Sequence, residues 1–170
     1  MISDTDSEAT VRPLAPTLVL TLTGLTVCAY AAEPTQKEAT MTARGTFDVK
    51  VIPQPADDSA AGPFGRLFLA KQFHGDLEGE SKGQMIASQS ADRTSGGYAA
   101  LELVTGTLNG KPGSFVLLHK GTMQGSNYAL DVTVIPDSGT DALIGITGRM
   151  TIVIEGGKHS YELEYTLAGK

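Results

Sequence analysis

Apolar and polar residues alternate along most of the second two thirds of the chain. Gly45-Thr46-Phe47-Asp48-Val49-Lys50-Val51 is the first clear case, with the two-residue period of a half-buried strand. Pro53, Pro55 and Asp57-Asp58 end it. Further runs follow at short intervals: 64–74, stopped by Gly75-Asp76; 77–88; 98–108, closed by Asn109-Gly110; 114–123, turned by Gly125-Ser126-Asn127; 128–135; 143–154, turned by Glu155-Gly156-Gly157-Lys158; and 159–167. Asn-Gly between two such runs is the strongest short hairpin signal. No segment keeps a 3.6-residue period over three turns. Eight strands joined mainly by hairpins predict an all-β, eight-stranded antiparallel up-and-down barrel, closed so that no edge is left unpaired. A two-sheet sandwich is the competing architecture.

The N-terminal part lacks this pattern. The uncharged, mostly apolar run Thr17–Cys28 ends in Ala29-Tyr30-Ala31, followed by Ala32-Glu33-Pro34. That is the form of a secretory h-region and its A-x-A cleavage site, and the run is shorter than the roughly 20 residues of a membrane span. The expected organisation is a signal peptide over 1–31, a polar linker over 32–43 and one barrel domain over 44–168. The product would be exported, periplasmic or secreted, with no membrane attachment after cleavage. Cleavage would remove Cys28, the single cysteine, and would change the formal charge from −6 to 12 − 16 = −4. A mature chain of this kind has no disulfide or thiol chemistry. An acidic chain without a basic cluster also excludes nucleic acid as the expected partner.

Several blocks resemble a known bacterial family: GTFDVKVIPQ, KQFHGDLEGESKGQM, GYAALELVTGTLNGKPGSFVLLHKGTM, VIPDSGTDALIGITGRMTI and GKHSYELEYTL. It is a domain-of-unknown-function family placed among allene-oxide-cyclase-like barrels. The resemblance covers about residues 44–168 and implies an eight-stranded antiparallel barrel. It implies no chemistry, because a shared fold does not carry a shared reaction.

Candidate chemistry is sparse. In KQFHGDLEGESKG a turn at Gly75-Asp76 would place His74 near Glu78, and a carboxylate beside an imidazole is an acid–base pair suited to a cofactorless isomerase or cyclase. The bland alternative is a solvated strand face bearing Glu78, Glu80 and Lys82. His119 shares parity with Phe115, Leu117 and Met123, and Glu102 with Tyr98, Ala100, Val104 and Leu108. If both faces point inward, His119 and Glu102 are either a satisfied core pair or the polar anchor of an apolar pocket. Tyr98, Glu102, Phe115 and His119 are therefore the expected ligand-binding residues, for a small and largely apolar molecule. Leu101 and Leu103 give the fourth strand a second apolar face, which a homo-oligomer would bury. Asp137-Ser138-Gly139-Thr140 resembles the aspartic-peptidase signature, which needs two carboxylates sharing a proton and hence a dimer. Asp-Ser-Gly is equally common turn chemistry. The three histidines show no metal-ligand spacing, and neither a metal nor a cofactor is expected.

Overall fold

The structure is a computed structural model, and it describes residues 39–55 and 62–168. The expected signal peptide over 1–31, with Cys28, lies outside the described residues.

The described residues form a closed barrel of eight antiparallel strands, each bonded to its neighbours in chain order. They are β1 (Met41–Pro53), β2 (Gly65–Gly75), β3 (Leu77–Gln89), β4 (Ser95–Leu108), β5 (Lys111–Gln124), β6 (Asn127–Val134), β7 (Ile146–Glu155) and β8 (Lys158–Leu167). β8 closes on β1 from Met41 opposite Tyr165 to Phe47 opposite His159. The sandwich alternative is thereby set aside.

The turns follow the sequence signals. Asn109 and Gly110 both have positive φ, 47° and 79°, and Leu108 pairs with Lys111. This is the two-residue hairpin whose twist matches the strands on either side.

Two boundaries differ from the sequence pattern. β1 begins at Met41, inside the stretch read as linker, because Met41 to Ala43 pair with β8 and Ala43 is fully buried. β7 begins at Ile146, because Asp141–Leu143 forms a single 3-10 turn. That turn carries Leu143 into the core, next to Gly113.

The lumen has two unlike halves. At the end bearing the β4–β5 hairpin, Phe47, Phe73, Leu77, Leu108, Phe115, Leu117, Leu163 and Tyr165 fill it, together with Leu143. Aromatic rings interlock there: Phe73 lies 5.4 Å from Phe47 and meets Tyr161 edge-on at 5.6 Å. The other half is open. β6 and β7 share one registered ladder position, Thr133 opposite Arg149. An Arg149–Asp131 ion pair at 2.6 Å spans the same seam. On the outer surface of β4 and β5, Leu101, Leu103 and Leu118 are 52%, 48% and 41% exposed, so the second apolar face of the fourth strand is uncovered in the single chain.

Candidate functional site

Where the filled half ends, four polar side chains point inward. On β2, Lys71 continues the inward face of Leu69 and Phe73; on β3, Ser81 continues that of Leu77. Glu102 on β4 and His119 on β5 do the same among apolar neighbours. All four are buried, and Glu102 is completely so. The register makes them meet: Lys71 lies opposite Ser81, Glu102 lies opposite Gly83, and His119 lies opposite Ala100. Gly83 and Ala100 are small, which leaves room for the Glu102 carboxylate; a Cβ at position 83 would strike the Leu101 carbonyl oxygen and crowd the Glu102 Cα and Cβ.

Glu102 is the hub. Lys71 Nζ donates to its Oε2 at 2.7 Å, and Ser81 Oγ donates to its Oε1 through a short hydrogen bond. His119 Nε2 lies 2.8 Å from Oε2, yet its geometry leaves it without a properly directed hydrogen bond. The contact is therefore close and electrostatic rather than a formed N–H···O bond. Lys71 also sits over the Phe47 ring, 4.8 Å from its centre, which stabilises the ammonium on its apolar side. Burial alone would push the Glu102 carboxyl up. The contact from His119, the charge and hydrogen bond of Lys71 and the hydrogen bond from Ser81 outweigh it, and the carboxyl is brought down to about 2. Glu102 is an anion at any physiological pH.

Beyond this cluster, toward the unfilled end, lies a cavity of about 1280 Å3. Leu67, Met85, Met123, Leu130 and Ile152 give it an apolar wall, and Ser90, Thr122 and Arg93 stand among its polar lining. Tyr98 also lines it, with its ring flat against Gly121, where any Cβ would lie 2.2 Å from a ring carbon. Gly121 is the next inward position after His119 on β5, and Tyr98 is two inward positions from Glu102 on β4. The cavity floor and the ionic cluster are thus adjacent layers.

Of the four expected ligand-binding residues, Tyr98 lines the cavity. Glu102 and His119 belong to the cluster one layer below, in mutual contact. Phe115 is fully buried in the filled half. Lys71 and Ser81 did not stand out in the sequence. The signal existed for Lys71: it has the same parity as Leu69 and Phe73, the reasoning that drew attention to Glu102 and His119.

The other candidates lie elsewhere. His74 and Glu78 do meet, Nδ1 to Oε1 at 3.2 Å across the Gly75-Asp76 turn. They do so on the outer surface, where both side chains are about half exposed or more. Asp137 is exposed and adopts a left-handed backbone, φ 59°. Its neighbours act as a clasp: Ser138 Oγ donates to the Ile135 carbonyl at 2.7 Å and accepts from Val116 N–H at 3.0 Å. Among the described residues, no group of three or more His, Cys, Asp or Glu is placed to hold a metal ion.

Residues 43–165 match the family described as "Protein of unknown function (DUF3224)". The chain belongs to this family. It is also similar to a crystal structure of a protein of unknown function from the same family, from Shewanella oneidensis MR-1. That chain is 40% identical, the match covers 77% of the present chain and 100% of the other, and the TM-score is 0.70. No curated protein matches the chain.

Proposed function

We propose that this DUF3224 protein is an exported binding protein that holds a small, largely apolar molecule in the unfilled half of its barrel. One observation carries the reading. A closed eight-stranded barrel has just enough interior for side chains to fill, and here one half is filled while the other is a roomy, mainly apolar cavity. A concave apolar pocket with a few polar groups at its floor is the usual form of a small-ligand site. The resemblance of the sequence blocks to allene-oxide-cyclase-like barrels is part of the proposal at the level of architecture, and export rests on the sequence of residues 17–31.

The isomerase reading at His74 and Glu78 has less support, because the pair stands on the outer surface with both side chains about half exposed or more. The peptidase reading at Asp137 would need a second chain to bring up the partner carboxylate, and the Ser138 clasp accounts for the motif as turn chemistry.

Native mass spectrometry of the protein isolated from its own host is the test. The expected result is a mature chain beginning at Ala32 with a co-purifying small molecule, which is lost when Ala87→Trp fills the cavity wall. A parent protein that carries nothing and binds no apolar probe overturns the reading.

A further inference from the structure

We infer that the ligand enters with an uncharged hydrogen-bond acceptor, of carbonyl type, at its leading end, and that the Tyr98 hydroxyl is the group that receives it. This rests on the proposed ligand site and specifies its chemistry.

The cavity wall is apolar around its middle, through Leu67, Met85, Met123 and Ile152, so the body of a ligand gains by burial there. At the floor, the Tyr98 ring is pinned against Gly121, and its hydroxyl has no hydrogen-bond partner among the described residues. The phenol is half-buried at the cavity lining, so its partner is left to solvent or to a ligand. The deeper polar groups do not supply it. Both Glu102 oxygens are engaged, Oε1 by Ser81 and Oε2 by Lys71, with His119 crowding Oε2. The cluster is also rich in donors. Lys71 brings three N–H groups, Ser81 an O–H and the His119 ring an N–H, against one carboxylate. The floor thus offers more donors than uncommitted acceptors, and an incoming acceptor would find the phenol O–H.

Charge sorts the acceptors further. Burial, and then the negative charge of Glu102, raises the Tyr98 phenol above its ordinary value. The phenol therefore keeps its proton, and the same negative charge that acts on it would act against a carboxylate docked at its hydroxyl. A ketone, aldehyde, ester or amide carbonyl meets no such opposition.

The probes are octane, 2-octanone and octanoate, each competed against a fluorescent apolar dye, N-phenyl-1-naphthylamine, on the parent chain and on Tyr98→Phe. This substitution removes one hydroxyl and leaves the ring against Gly121, and equal melting temperatures confirm an intact fold. The parent should bind 2-octanone in preference to octanoate. Tyr98→Phe should weaken 2-octanone roughly tenfold, the size of one hydrogen bond to a neutral partner, and leave octane within about twofold. With 2-octanone labelled at its carbonyl carbon, the bound 13C resonance should shift downfield in the parent and lose that shift in the variant. If octanoate binds best, or if Tyr98→Phe leaves 2-octanone unchanged, the inference is overturned while the ligand-binding reading stands. If none of the three displaces the dye or binds, both fall.

Discussion

Replacing Glu102 with glutamine removes the charge on which three buried groups converge and keeps the side-chain volume. The size of the effect follows from the titration of that carboxyl. A change from the ordinary 4.5 to about 2 in the folded chain, at 1.36 kcal/mol per pH unit, amounts to about 3 kcal/mol of stability at neutral pH. Removing one partner of a buried ion pair costs 3–5 kcal/mol in general, because the remaining charge is left uncompensated. Here that charge is Lys71, 6% exposed at its side chain and confined between Phe47 and Phe73. The two routes agree, so Glu102→Gln should lose about 3–4 kcal/mol at pH 7.

The pH dependence is a stricter check. The folded-state value is depressed, so the contribution is complete above the unfolded value near 4.5 and is lost as pH falls toward 2. At pH 3 the parent should already have lost roughly 2 kcal/mol through this one group. Glutamine does not titrate, so the stability gap between parent and variant should shrink by about that amount between pH 7 and pH 3. Urea unfolding at the two pH values measures it directly. A gap below about 1 kcal/mol at pH 7, or one that stays constant down to pH 3, would refute the account of Glu102 as the buried hub.

Four other outcomes are expected. Lys71→Met combined with Glu102→Gln should cost less than Glu102→Gln alone, by about 1–3 kcal/mol in urea unfolding, because no buried charge is left behind. His74→Ala and Glu78→Ala should each change stability by less than about 1 kcal/mol, since their contact is exposed and solvent-screened. In the Asp137 loop, Asp137→Asn should be nearly silent in thermal unfolding, because asparagine also tolerates a left-handed backbone. Gly139→Ala should be severely destabilising there, since a Cβ would lie 1.9 Å from the Leu143 carbonyl oxygen.

The barrel was legible because its signals are local and redundant. The two-residue period from Gly45 to Val51, the Asn109-Gly110 turn and the Gly156-Gly157 turn all point to antiparallel neighbours, and each survives in the structure. The 3-10 turn at Asp141–Leu143 was not legible. Leu143 and Ile144 read as the start of an apolar strand, and only the position of Gly113 on β5 shows why the chain folds inward first. The site was legible in halves. Parity placed Glu102 and His119 inside the barrel, and the hairpin between their strands brought them together. Parity could not show that Lys71, two strands from Glu102, reaches the same carboxylate. That contact depends on barrel curvature and on the small residues Gly83 and Ala100, which are properties of the closed sheet rather than of any one strand. The consequence is large: a buried carboxylate held by two donors, with the His119 ring close against it, implies a severe cost on substitution.

The division of the lumen is itself an argument for a built cavity. Inward positions in the filled half carry Phe47, Phe73, Phe115, Tyr161 and Tyr165. Beyond the cluster, Ala87 and Gly96 stand among Leu67, Met85, Met123 and Ile152, and a cavity of about 1280 Å3 remains between them. Larger apolar residues at the two small positions would add burial energy of about 1.5–3 kcal/mol each. The ionic cluster shows the same preference, because a buried charge network is often no more stabilising than apolar residues of equal volume. The chain therefore departs from the most stable filling twice, in adjacent layers and on the same side of the core. Packing alone explains neither departure. Together they make an apolar chamber with a polar floor, which is the arrangement that the Tyr98 experiments interrogate.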